Sequence, residues 1–295
     1  MKNLSSLGMS LALISALAYA IQTAIVKHIS GQISTPMLVF IQSTVCFILI
    51  LPLILAKGRR FALQTLRTAH PIIHFFRTIF SLGISYFLFY AVKFIPLVDA
   101  VLLANTAPLL VPIIGFLFMS RGLNHRLWLP LIIGFLGIIF ILKPDSQVFS
   151  SASFLALGAG ICMATSIIFI SEAKEDSGLT RAFYYFIFSV PISALGALWF
   201  WSPITLSVFA VAIGIGILFF IVQLTLVYAV KYTHVQIVST LYLSNILFAA
   251  IISVIIWHTP VTASILAGIL LTIAGAVFTI RAQATAIKPV KLEAK

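Results

Sequence analysis

The stretch YAVKF at residues 90–94 returns as YAVKY at residues 228–232, an offset of 138 positions. The same offset lays Gly137 on Gly275, Phe140 on Phe278 and Lys143 on Arg281. A five-residue near-match, four residues identical, is weak evidence in so apolar a chain. A register that holds from residue 90 to residue 143 is stronger evidence, and it points to an internal repeat.

What repeats is hydrophobic. The 295 residues are 62% hydrophobic and 8% charged, with a mean hydropathy of +1.19. Soluble domains are about 45–50% apolar and about 25% charged. No water-soluble fold covers that much apolar surface, so the chain reads as an all-α integral membrane protein. Ten apolar runs approach the roughly 20 residues that a spanning helix needs. They are Leu7–Val26, Pro36–Ala56, Ile72–Val92, Leu97–Met119, Leu127–Leu142, Phe154–Ser171, Ala182–Trp201, Leu206–Val230, Val235–Trp257 and Ala263–Ile280. Barrel strands would be shorter and would alternate in polarity. Leu17-Ala18-Tyr19-Ala20 resembles a signal-peptide cleavage site, but the apolar run continues through Val26, longer than a signal core needs. Cys46 and Cys162 fall in apolar runs and read as packing residues, with no disulfide framework or metal spacing.

Ten runs divided by one repeat give five helices per copy, and five is odd. The second copy therefore starts from the opposite face of the membrane, and the fold is expected to be ten transmembrane helices in two inverted five-helix repeats. The expected division is 1–145 and 146–283, with a cytoplasmic tail over 284–295. Inverted repeats are a frequent plan of secondary transporters, which bind substrate near mid-membrane between the halves.

Lysine and arginine gather on the cytoplasmic side of membrane proteins. With the N-terminus inside, the inside segments hold 14 basic residues and the outside loops hold Lys27, Lys93 and Lys143. Both termini are thus expected in the cytoplasm of a bacterial cell, with the chain in the inner membrane. The +12 net charge is then a topology signal that needs no nucleic-acid partner.

Tyr90-Ala91-Val92-Lys93-Phe94-Ile95-Pro96-Leu97-Val98-Asp99-Ala100, followed by Asn105-Thr106-Ala107-Pro108-Leu109, resembles the helix 3–4 region of EamA-type members of the drug/metabolite transporter superfamily. The resemblance extends in layout over nearly the whole chain. It implies ten helices in two repeats and a small-molecule cargo, because family members move amino acids, purines, sugars, drugs or S-adenosylmethionine. One motif differs. The family often ends helices 4 and 9 with Gly-Glu, where this chain has Met119-Ser120-Arg121 and Trp257-His258-Thr259.

Polar residues inside the spans are the candidate site. Arg77 lies seven residues into the third run, roughly 10 Å deep at 1.5 Å per residue. A charge there is costly. Either it snorkels back to the headgroups and pairs structurally, or it faces a wet cavity, linked to substrate or gate, and anchors an anion through its forked donors. His74, Arg77, Ser81 and Ser85 recur at three- and four-residue steps and share one helix face. Tyr19 and Gln22 on the first helix, Asn105 on the fourth, Gln223 and Tyr228 on the eighth, and Tyr242 and Asn245 on the ninth add further polar groups. Each of these has the alternative role of gluing helices together. With Tyr90 they form the expected substrate-binding set. Asp99, at the outer end of the fourth helix, is the expected gate, paired with Lys93 or Lys27, or else a hydrated loop-end residue. Pro108 and Pro112 have Ile246 and Ala250 as repeat partners, which predicts a bent fourth helix beside a straighter ninth. Small residues Ala156, Gly160 and Ala164 read as a close-packing stripe.

Enzymatic signals are lacking: no phosphate-binding glycine loop, paired carboxylates or metal-ligand cluster. No cofactor and no metal are expected. The sequence reading is a metabolite carrier, monomer or homodimer, working by alternating access. Its cargo is amino-acid-like or nucleoside-like, S-adenosylmethionine included, with an anionic group that a buried arginine would favour. The alternatives are a multidrug or waste-metabolite exporter, a membrane-embedded enzyme and an assembly subunit.

Overall fold

The computed structural model describes residues 2–56, 66–119, 127–142, 151–173, 176–233, 235–259 and 262–286. Its elements are α1 (Lys2–Ile29), α2 (Thr35–Leu55), α3 (Pro71–Ala91), α4a (Leu97–Ala104), α4b (Ala107–Met119), α5 (Trp128–Leu142), α6 (Ser151–Glu172), α7 (Gly178–Trp199), α8 (Leu206–Tyr232), α9a (Val235–Tyr242), α9b (Ser244–Trp257) and α10 (Ala263–Ala286). Among the described residues, nine spans are long and apolar enough to cross a bilayer, with α4 and α9 each counted as one. α5, with 15 residues, is the shorter tenth. α10 runs to Ala286, three residues past the expected start of the tail. Asp145, the rest of the tail and most of the basic residues behind the topology reading lie outside the described residues. These include Lys57, Arg59, Arg60, Arg121, Arg126, Lys143, Lys174 and the tail lysines.

Local chemistry sets several boundaries. Proline stands in the first turn of α2 and α3, where its missing N–H costs nothing. Ser177 caps α7 by accepting the Thr180 N–H at 3.1 Å, and Thr205 caps α8 by accepting from Val208 at 3.4 Å. Each satisfies one of the orphan donors of a helix start.

The packing of helices obeys a two-fold rule. Exchanging the halves turns α1 into α6, α2 into α7 and so on. The strong pair α1–α8 then becomes α6–α3, which is also a strong pair. Likewise α2–α8 becomes α7–α3, and both are present. The pairs α2–α7, α4–α9 and α5–α10 map onto themselves, and all three are found.

The α5–α10 crossing shows the symmetry in atoms. A Cβ on Gly137 would meet Thr272 N at 2.6 Å and the Gly268 carbonyl at 2.9 Å. A Cβ on Gly275 would meet Gly134 Cα at 2.5 Å and the Pro130 carbonyl at 2.8 Å. Gly268 and Thr272 are the repeat partners of Pro130 and Gly134. Close backbone approach through glycine is a membrane-protein substitute for a hydrophobic driving force. On α6, Ala156 and Ala164 are fully buried, and Gly160 sits against the Leu103 and Ala104 carbonyls.

The expectation of a bent α4 beside a straight α9 is corrected. Both helices are interrupted, after Ala104 and after Tyr242, which are repeat-equivalent positions. Proline accounts for α4, where Pro108 brings no N–H to bond. In α9 the break is made by polar side chains. Ser244 donates to the Leu241 carbonyl at 2.6 Å, a local bond that competes with the helix ladder. Asn105 does the same in α4, bonding the Val101 carbonyl at 2.7 Å. The two breaks meet: Asn105 and Asn245 exchange amide hydrogen bonds of 3.0 and 3.2 Å and are fully enclosed.

Candidate functional site

α3 enters the bundle at the end where α1 starts and α8 finishes, and it carries Arg77 in its second turn. The residue is only 8% exposed. Its Nη1 donates to the Arg181 carbonyl at 2.7 Å, and its guanidinium carbon lies 5.6 Å from the centre of the Tyr185 ring. Both contacts are within the protein and join α3 to α7. The Nε–H is buried and meets no acceptor among the described residues.

Arg77 forms the floor of a cavity of about 540 Å³ between α3, α6, α7 and α8. Arg181, Gln223, Tyr228, Lys231 and the start of α7 at Ser177–Gly178 line the rest. Lys231 is exposed, Arg181 half-buried and Arg77 buried, so the cavity has a mouth and a floor. It opens toward the end of the bundle where α8 finishes and Lys231 is exposed. Among the described residues, none that line it is acidic. Two of the three lining cations were read in the sequence only as topology charges, and α7 was not expected to contribute. A larger groove of about 690 Å³ between α4b and α5 is lined by apolar side chains such as Ile113, Phe116 and Trp128. Most of these are exposed on the membrane-facing surface, which gives that groove no chemistry to recognise a polar cargo.

The place that is repeat-equivalent to the cavity lies at the opposite face, and it is closed. Ile215 stands for Arg77, Ser43 for Arg181 and Ser85 for Gln223. All three are buried, and Ile215 packs in one apolar core with Leu38, Ile41 and Ala212.

The remaining expected site residues divide into separate groups. Gln223 and Tyr228 line the cavity with Arg77. Asn105 and Asn245 form the central amide pair, away from the lining. Tyr19 and Tyr242 face each other at 5.9 Å between ring centres. Gln22 donates to Gln42 at 2.9 Å, and Ser81 bonds Ser166 at 2.7 Å, joining α3 to α6. Tyr90 is exposed, packed on Phe94. Asp99 is buried in the first turn of α4a, and its charge is felt by Lys27. The Lys27 ammonium itself donates to the Val92 and Ile95 carbonyls at 2.8 and 2.7 Å, while the Lys93 ammonium lies over the Tyr90 ring.

His74 is engaged elsewhere. Its Nε2 lies 2.7 Å from Asp176 Oδ2, and its ring stacks on Tyr184 at 5.2 Å. Thr68 donates to the same carboxylate oxygen at 2.6 Å. Burial pushes the Asp176 carboxyl upward, but the hydrogen bonds from Thr68 and His74 and the nearby His74 and His70 charges outweigh it. The net result lies below the usual value. This clasp ties α3 of the first half to the α6–α7 turn of the second. Nothing in the spacing of 102 residues between His74 and Asp176 announces it.

Comparison with known proteins agrees with this geometry. Residues 6–143 and 150–281 each match the EamA-like transporter family. The chain is similar to a pseudopaline exporter of Pseudomonas aeruginosa, 24% identical over 90% of this chain and 94% of that one. It is similar to a riboflavin transporter of Vibrio cholerae, 26% identical over 70% of each. A third relative is an S-adenosylmethionine uptake transporter of Rickettsia bellii, 23% identical over 72% of each. A protein of known crystal structure, 17% identical, shares the fold with a TM-score of 0.65 over 94% of this chain and 97% of that one.

Proposed function

From membership of the EamA-like transporter family, to which this chain belongs, we propose that it carries a small metabolite with an anionic group across the cytoplasmic membrane by alternating access. The cargo is amino-acid-like or nucleoside-like. Its anionic group docks on Arg77, and Gln223 and Tyr228 hold the remainder. Both termini lie in the cytoplasm, so the cavity is open inward.

One observation carries the reading: the same place in the two repeats is an open cationic cavity on one face and a closed apolar core on the other. Two halves of one design in two conformations are what an alternating carrier requires. Exchanging those conformations would open the opposite face. Arg77 fits an anion anchor because a buried guanidinium with an unmatched N–H gains most from a charged acceptor. The three cations of the lining oppose export of cationic drugs, which they would repel.

Counterflow in proteoliposomes tests this. Vesicles loaded with an anionic amino acid or nucleotide mixture should take up the labelled compound against its gradient. Arg77→Gln should lower uptake at subsaturating concentration by about tenfold or more, the loss of one charge-assisted hydrogen bond. Arg77→Gln protein that carries anionic cargo at the native rate would refute the anchor. An enzyme would consume its ligand, and an assembly subunit would give no counterflow.

A further inference from the structure

Three cations converge on the cavity, and one is enough for a carboxylate. Arg77 comes from α3, Arg181 from the first turn of α7 and Lys231 from the last turn of α8. The two-fold symmetry does not demand the two arginines, because their repeat partners are Ile215 and Ser43; Lys231 alone has a cation, Lys93, at its repeat-equivalent place. The rule of cytoplasmic charge explains why Arg181 and Lys231 lie on this side, but that rule needs only their presence near a helix end. It does not need them to point into one cavity with a third, buried cation. Like charges brought together in a low-dielectric site repel strongly, and Asp176, of the described part of the α6–α7 turn, is held by His74 and Thr68. Arg181 also has a buried Nε–H with no acceptor among the described residues, as Arg77 does.

The start of α7 adds to the field. Ser177, Gly178 and Leu179 line the cavity, and a helix N-terminus presents free N–H groups and a partial positive charge. Gly178 lets the start of α7 pack closely on α8, since a Cβ there would meet Val227 Cγ1 at 2.6 Å. A helix start alone would say little. Here it lines the same cavity as Arg77, a side chain more than nine-tenths buried.

We infer that this cavity is a phosphoryl-binding site: Arg77, Arg181, Lys231 and the α7 N-terminus hold the doubly charged head of a small phosphomonoester. The inference rests on the proposed transport function and narrows its cargo. Two forked guanidinium groups suit an oxyanion with three terminal oxygens better than a planar carboxylate with two. Lys231 acts as a point charge at the mouth, where an anion arrives. The cavity volume lies within the range of small-molecule sites.

Equilibrium binding to the full chain in nanodiscs tests it, with labelled inorganic phosphate as probe and methyl phosphate and acetate as competitors at matched ionic strength. Methyl phosphate should displace the label at least tenfold better than acetate. Arg181→Gln and Lys231→Gln should each weaken phosphate binding by about tenfold. Lys93→Gln, at the repeat-equivalent place, should leave it unchanged. Lys231 is exposed, so its variant tests the site even if Arg181→Gln fails to fold. Equal competition by acetate, with binding still dependent on Arg77, would overturn the phosphoryl assignment and leave the anion-carrier reading standing. Phosphate binding unaffected by Lys231→Gln would also overturn the assignment. No anion binding to wild type, with counterflow of a neutral cargo intact, would overturn both.

Discussion

At the scale of single residues, the informative groups are charges that the membrane would not tolerate unassisted. Arg77 was visible in the sequence because a guanidinium among phenylalanines demands an explanation. Its partners were not visible, since Arg181 lies 104 residues away and contributes its backbone carbonyl as well as its side chain. His74 shares a helix face with Arg77, and that led to a shared role. The fold separates them by giving His74 a carboxylate of its own. The clasp predicts a pH dependence. A carboxyl held below its usual value in the folded state stabilises the protein fully above the ordinary carboxylate pKa of about 4. That contribution is lost as pH falls through the lowered value. Thermal melting from pH 7 downward should therefore show wild type losing stability in acid relative to Asp176→Asn. At pH 7 the variant should be less stable by about 1 kcal/mol, for weakened bonds to Thr68 and His74. Curves that stay parallel through the acid range would mean that the clasp contributes nothing.

At the scale of elements, ten helices were legible from run length and hydropathy, and the 138-residue offset aligned Gly137 with Gly275 without showing that their helices cross there. Gly275→Ala should destabilise by about 1–3 kcal/mol, because its new methyl meets the backbone of α5 rather than a movable side-chain end. Gly214→Ala, with open space around it, should be neutral, and paired melting curves compare the two. The break in α9 was not legible, because proline is the usual signal and α9 has none at that point. The sign was Ser244 next to Asn245, polar residues whose use depends on Asn105 arriving from the other half. Their pairing is measurable in a double-mutant cycle. Asn105→Ala and Asn245→Ala should each destabilise, while the double variant should lose less than their sum by about 0.6 kcal/mol or more. Strict additivity would show that the two amides do not couple.

At the scale of the whole molecule, the symmetry of the packing and the asymmetry of the cavity have to be explained together. Every principal helix pair has its exchanged counterpart, yet one face holds a cationic cavity and the other a sealed core. The sequence could show the repeat but not the state, because a repeat is written in residue types whereas opening is a matter of how the helices sit. If the halves trade conformations, Gln223 in the cavity and its repeat partner Ser85 should trade exposure. The direct measurement is the labelling rate of Gln223→Cys and Ser85→Cys, each in a chain with Cys46 and Cys162 replaced by alanine. A membrane-impermeant thiol reagent is applied from either face of sealed vesicles, at rest and during transport. The account predicts that Gln223→Cys reacts only from the cytoplasmic face and Ser85→Cys only from the opposite face, with the second rate rising as the first falls during turnover. Reaction of both from one face, or a Ser85→Cys that stays protected throughout turnover, would contradict it.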